Sequence, residues 1–262
     1  MRFSISTAFQ PLDHLVPLAR AADELGYHSM AVPDHVVDLE ELSTPYPYTP
    51  DGARRWDSSA AWPDPWVLIG ALSAVTSRLR FLTSVYVPAI RSPFQVAKSV
   101  GTAAVLSGDR VSLGVGIGWC REEFELLGED FASRGRRTDE TLTLLRGLPE
   151  PAPILVGGLS EIALRRAARY DGWVGDVCTV DQAIAAAARL RELRKEAGAS
   201  GPFEVIPALS DAILPADFVR ARDGGVTEVM TAPWMYYVGR HASLEQKLEG
   251  MRRFRGDVMD RL

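Results

Sequence analysis

Two hydrophobic rhythms take turns along this chain. Short apolar runs bounded by turn residues read as strands, and a stretch with apolar positions at helical spacing follows almost every one. The first four predicted strands are Phe3–Thr7, Ser29–Pro33, Leu79–Val87 and Val111–Gly118, the third dense in β-branched and aromatic residues. Pro153–Val156, Gly172–Gly175, Phe203–Leu209 and Thr227–Ala232 bring the set to eight.

Helices are predicted at about Leu12–Leu25 (closed by Gly26), Pro63–Ser77, Ser160–Tyr170, Val180–Ala197 and Pro215–Arg222, and from Ser243 to the end. Another opens at Ser92-Pro93, with Ser as cap and Pro at its tolerated first position. Ala163, Leu164, Ala167 and Ala168 mark the apolar face of the Ser160–Tyr170 helix. Arg121–Leu148 reads as one long, broken helical region, and the stretch up to Trp62, rich in Pro, Tyr and Trp, as irregular.

Strands followed in turn by helices predict an α/β fold, a (β/α)8 TIM barrel, over an open doubly wound sheet. The open sheet stays as the alternative, because a strand count does not establish closure. No linker or short repeat divides residues 1–262, which are expected to form a single domain.

Composition narrows the function class. Hydrophobic residues make up 47% and charged residues 24% of the chain, enough apolar material for a sizeable core. The net charge of -5, with no compensating basic run, argues against nucleic acid. Arg134, Arg136 and Arg137 read as a solvated helix face. Cys120 and Cys178 form no disulfide framework, the first residues lack an apolar signal core, and no window resembles a membrane span. A soluble, cytoplasmic, compact protein with no nucleic-acid or membrane partner and no metal is expected.

The chemistry concentrates at strand ends. Gly114-x-Gly116-x-Gly118 misses the third glycine of a dinucleotide fingerprint and falls on the fourth strand. It either lets a ligand approach or relieves crowding at a barrel strand end. Asp34-His35 ends the second strand, where a barrel enzyme places a proton donor, or where a capping Asp sits beside an incidental His. Thr83-Ser84-Val85 puts hydroxyls in an apolar strand, aimed at a ligand or satisfied by backbone. Gly157-Gly158-Leu159-Ser160 is a helix start suited to a phosphate, or a plain glycine turn with a Ser cap. Glu122 and Glu123 read as an acidic first helical turn, with nothing to pair them as catalytic carboxylates. His14, His28 and His241 read as structural.

Taken together, these pieces resemble the bacterial luciferase-like family of flavin and deazaflavin oxidoreductases. The resemblance rests on Ala21-Ala22-Asp23-Glu24-Leu25-Gly26-Tyr27, Pro33-Asp34-His35, Leu82-Thr83-Ser84-Val85 and Ser107 through Gly128. Arg137-Thr138-Asp139-Glu140, Pro153 through Gly158 and Asp171-Gly172-Trp173 continue it, and it covers roughly residues 1–175. It implies a barrel binding coenzyme F420, or FMN, at its carboxyl rim. His35 would be catalytic and face the cofactor with Asp34; Ser84, Val85 and Gly116 would lie under the ring, with a non-proline cis peptide between Ser84 and Val85. Gly157, Gly158 and Ser160 would hold the phosphate, with Thr179 a weaker candidate.

Two departures qualify the resemblance. Only Pro149-Glu150-Pro151-Ala152 stands where relatives carry a longer insertion, so the pocket is expected to be more open. Trp119 occupies the place of the catalytic Glu of deazaflavin-dependent sugar-phosphate dehydrogenases. Trp119 and Trp56, with Tyr46 and Tyr48, fit an apolar or aromatic substrate. The expected activity is F420-dependent hydride transfer to or from a small organic molecule. The alternatives are an FMN-dependent monooxygenase and a non-catalytic cofactor-binding protein, and a homodimer through barrel helices is the implied assembly.

Overall fold

The computed structural model describes residues 1–57 and 59–262. Its strands are β1 (Arg2–Ser6), β2 (Ser29–Val32), β3 (Arg80–Thr83), β4 (Val111–Val115), β5 (Ile154–Gly157), β6 (Gly172–Cys178), β7 (Glu204–Leu209) and β8 (Glu228–Thr231). They run parallel in chain order, and β1 pairs with β8, which closes the barrel and removes the open-sheet alternative. The helices are α1 (Leu12–Leu25), α2 (Pro65–Ser73), α3 (Pro93–Ser107), α4 (Arg121–Leu126), α5 (Arg134–Arg146), α6 (Glu161–Ala167), α7 (Val180–Glu196), α8 (Pro215–Asp223) and α9 (Leu244–Asp257).

Strand alternation sorts the core into two. Ala31, Leu82, Leu155, Val174, Ile206 and Met230 point inward and fill the barrel. Their neighbours Met30, Phe81, Ile154, Val156, Trp173 and Val229 point outward into the larger layer under the helices. Because both faces are buried, the strands read as short apolar runs without polar alternation.

Local chemistry sets the element ends. Asp64 accepts from the N–H groups of Trp66 (2.9 Å) and Val67 (3.0 Å), so α2 begins at Pro65, two residues after the predicted start. The predicted helical region 121–148 is two helices, with Gly128 at φ 71° in the break. β3 is shorter than Leu79–Val87. Its ladder stops at Thr83, the Ser84–Val85 peptide is cis, and pairing resumes as one bridge between Tyr86 and Val115. β6 is longer than predicted and reaches Cys178 through an irregular register between Val174 and Val177. Among the described residues, no helix is long and apolar enough to cross a membrane.

Candidate active site at the carboxyl rim

His35 leaves the carboxyl end of β2 and is held from across the rim. Glu123, in the first turn of α4, places Oε2 3.1 Å from His35 Nδ1. Its Oε1 accepts from the N–H groups of Val36 (2.6 Å) and Val37 (3.1 Å). Burial alone would raise the Glu123 carboxyl; the contacts with His35, Val37 and Val36 outweigh it and hold the group below the usual carboxylate range. With Nδ1–H donated to a carboxylate, His35 keeps the lone pair of Nε2 for a reacting group. The adjacent Glu122 holds a later part of the same loop. Its Oε1 accepts from Ser43 N, Ser43 Oγ and Thr44 N, each at 2.8 Å. The two glutamates are therefore more than an acidic helix start. Nothing local reveals it, since 88 residues separate Glu123 from His35.

Asp34 does different work from its neighbour. Its carboxylate takes a bidentate pair from Arg91 (Nη1–Oδ2 and Nη2–Oδ1, both 2.7 Å) and the Val87 N–H at 3.0 Å. Burial pushes the carboxyl up, while Arg91 and Val87 oppose that. The two short charge-assisted bonds describe an ion pair, with the guanidinium lying 4.2 Å over the Tyr86 ring. Asp34 thus ties β2 to the segment after β3. With protein donors on both carboxylate oxygens, Asp34 braces the rim beside His35.

Val85 is what the glycines accommodate. A Cβ on Gly116 would lie 2.6 Å from Val85 Cγ2, and one on Gly157 would lie 2.9 Å from Val85 Cγ1. A Cβ on Gly114 would sit on the Thr83 carbonyl oxygen. Crowding therefore accounts for Gly114 and Gly116, pressed by the Thr83 carbonyl at the end of β3 and by Val85 just after it. Val85 packs on the barrel's inner cluster as a plug at its upper end. Ser84 Oγ, partly exposed beside it, meets the Met230 sulfur at 3.3 Å.

Aromatic rings close over His35. Ring centroids of Trp62, Trp56 and Trp119 lie 4.6, 5.9 and 5.9 Å from the imidazole. Tyr46 packs edge-on against Trp119 (5.1 Å) and Trp56 (5.2 Å), and Phe9 stacks on Trp56 at 5.3 Å. Trp56 Nε1 donates to Asp38 at 2.9 Å, and Arg55 ties the loop to Asp176 of β6 at 2.7 Å. Both tryptophans named from the sequence, Trp56 and Trp119, converge on His35. Trp62 and Phe9, which composition alone could not rank above other aromatics, converge there too.

The turn after β5 keeps free donors. Ser160 Oγ caps α6 by accepting from Ala163 N at 3.2 Å, and Trp173 Nε1 pins the Gly158 carbonyl at 2.8 Å. Among the described residues, no acceptor meets the N–H groups of Glu161 and Ile162. The Glu161 carboxylate is matched by Arg189 (2.6 Å) and Arg165 (2.9 Å). Thr179 is less available. Its hydroxyl oxygen and its N–H are both engaged with Gln182 in the capping box of α7.

The rim residues fit a planar, polar heterocycle. Gln10 Oε1, just past β1, and Trp62 Nε1, in the loop after β2, are buried polar atoms with no hydrogen-bond partner. Such atoms are rare without a function. An unpaired acceptor and an unpaired indole N–H beside stacked aromatics and His35 are a donor set that a ring with carbonyl and N–H edges would satisfy.

Residues 1–215 match the luciferase-like monooxygenase family. A protein of Mycobacterium tuberculosis described only as uncharacterized is 41% identical, covering 88% of this chain and 88% of its own. An F420-dependent glucose-6-phosphate dehydrogenase of Amycolatopsis mediterranei is 33% identical over 144 residues, which is 53% of this chain and 38% of its own. Among solved structures, monooxygenase RslO1 from Streptomyces bottropensis shares the fold with a TM-score of 0.75. Its identity is 17%, with 100% of this chain and 99% of that chain covered. With that profile spanning most of the sequence and a closed eight-stranded parallel barrel beneath it, the chain belongs to the luciferase-like monooxygenase family.

Proposed function

We infer that the protein is a coenzyme F420-dependent oxidoreductase that moves a hydride between the deazaflavin and a small organic substrate. The observation that carries this reading is His35, fixed by Glu123 under an aromatic wall at the carboxyl rim. When bound, the cofactor would supply the hydride chemistry. The protein's part is to bind, orient and exclude water. Glu123 fixes the imidazole so that Nε2 faces the rim, where it would exchange a proton with the substrate oxygen or hold that oxygen in place. Val85 and Ser84 would support the ring, while Gly157, Gly158 and Ser160 would hold the phosphate with the free N–H groups of α6. Trp56, Trp62 and Trp119 would keep bulk water from the reacting atoms and favour an apolar or aromatic substrate.

The F420-dependent dehydrogenase among the relatives supports the cofactor. Trp119 argues against the sugar-phosphate substrate of that relative. The likeness to monooxygenase RslO1, and to a type II Baeyer-Villiger monooxygenase of Pseudomonas putida solved in complex with FMN, favours a second reading, an FMN-dependent monooxygenase using the same rim. Titrating the purified apoprotein separately with F420 and with FMN decides between them. Saturable F420 binding with weak FMN binding is expected, and tight FMN binding alone would reverse the assignment. Cofactor binding with no turnover on any substrate tried, unaffected by His35→Ala, would leave a non-catalytic carrier.

A further inference from the structure

The barrel carries a cavity at its amino-terminal end, opposite the His35 rim. It measures about 440 Å³ and opens among the starts of β1, β2 and β3 and the carboxyl ends of α1 and α9. Arg2, His28, Arg78, Arg80 and Arg255 line it, and Asp23 is the lone carboxylate in its wall. That carboxylate is turned to its own loop. It accepts from the N–H groups of Ser77 (2.9 Å), Arg78 (2.8 Å) and Leu79 (2.6 Å).

The basic side chains divide into two sets. Arg2 pairs with Glu204, and Arg255 pairs with Asp260 at 2.6 Å. His28 Nε2 lies 3.6 Å from the buried Glu228 carboxylate. The guanidiniums of Arg78 and Arg80 meet no carboxylate among the described residues. One Arg78 nitrogen donates to the Asp23 carbonyl at 2.8 Å, and one Arg80 nitrogen to the Asp109 carbonyl at 3.1 Å. Each guanidinium has five N–H donors, so most of them remain unused by the protein. Burial, the largest influence, and then Arg2 and Arg80 push the His28 imidazole down to about 4 against the pull of Glu204.

A concave wall with two guanidiniums lacking counter-ions is complementary to a tetrahedral oxyanion. We propose that this amino-terminal cavity binds a phosphate-bearing small molecule, with Arg78 and Arg80 supplying the uncompensated charge. The site lies at the other end of the barrel from His35, so its occupant is a separate ligand from the rim cofactor. The volume exceeds what one phosphate needs and leaves room for an organic portion.

The test titrates the full chain with inorganic phosphate and with glycerol 3-phosphate at constant ionic strength, chloride serving as reference. Phosphorus NMR line broadening and thermal shift report binding. Because the rim turn also suits phosphate, Ser160→Asp serves as the control; it keeps a helix cap but repels an anion there. Saturable binding is expected in the wild type and in Ser160→Asp, at least tenfold weaker in Arg78→Gln/Arg80→Gln, and measurably weaker in Arg78→Gln alone. Arg78 is exposed, so the single variant remains interpretable if loss of Arg80 perturbs folding. Tighter binding of the ester than of inorganic phosphate supports the site and assigns an organic phosphate; equal binding supports it and assigns the free ion. Wild-type affinity in the double variant, binding abolished by Ser160→Asp, or no saturation beyond chloride overturns the proposal.

Discussion

Glu123 carries more consequence than any other single side chain at the rim. It accepts from His35 and from two backbone N–H groups while almost wholly buried. Glu123→Ala leaves three part-buried donors without an acceptor. Unpaired donors cost about 1–3 kcal/mol each when buried and less where water reaches them, as at Val36. A loss of roughly 3 kcal/mol in denaturant unfolding is expected. Glu123→Gln keeps the shape and one acceptor, so stability should fall by only about 1 kcal/mol. Turnover should nevertheless drop about tenfold or more, because the imidazole loses the charge that fixes its tautomer. Unchanged turnover in the Gln variant would remove Glu123 from the proposed machinery. Gly116 is tested by a different logic. Gly116→Ala sets a Cβ 2.6 Å from Val85 Cγ2, an overpacking expected to cost about 1–3 kcal/mol. Val85→Ala empties that space, so the double variant should lose clearly less than the sum of the singles. Additive losses would show that Gly116 answers to something other than Val85.

At the scale of elements, the rim is assembled by long-range ties onto short strands. Asp34 joins the end of β2 to Arg91, ahead of α3, and the α4 glutamates hold the loop between β2 and α2 at residues 36–37 and 43–44. Asp34→Ala strands a part-buried guanidinium, and breaking a fully buried pair costs about 3–5 kcal/mol, so a loss near the lower end is expected. The expected result is a large drop in the urea midpoint with an unchanged m-value; a change below about 1 kcal/mol would mean that Arg91 finds solvent instead. These ties also mark where the sequence stops being legible. Strand-helix alternation, the proline that opens α3 and the apolar strand runs are local signals, and they placed most elements within a few residues, although the Ser92 side chain caps nothing. His35, Ser84, Val85, Trp56 and Trp119 were legible from their place at strand ends and from the resemblance. What stayed hidden was partnership. Glu123 looks the same in sequence whether its carboxylate faces water or an imidazole, and Asp34 looks equally suited to a cofactor or to Arg91. Likewise, nothing in Gly114-x-Gly116 says that the group pressing on it is Val85.

At the scale of the whole barrel, the two ends answer differently to pH. The rim carboxylates Glu123 and Glu122 are held below their ordinary range, Glu122 down to about 2. Their contribution is present above the usual carboxylate range and is lost only in strong acid, as pH falls through those lowered values. His28, at the amino-terminal end, acts earlier. Its folded value of about 4 lies below the ordinary 6.5, so between those limits the unfolded chain binds the extra proton. Stability therefore falls as pH drops through that window. Glu228 opposes this in part, since burial raises its carboxyl and favours the protonated fold. The His28 side chain is 31% exposed, so screening reduces its full share, and a loss on the order of 2 kcal/mol is expected by about pH 4. For a chain of this length that corresponds to a fall of about 4–8 °C in Tm. The measurement is the difference between wild type and His28→Asn in thermal unfolding from pH 7 to pH 4, because subtraction cancels the carboxylates common to both. The Asn variant should lose less stability across that range. Parallel curves would place the acid-sensitive group elsewhere in the barrel.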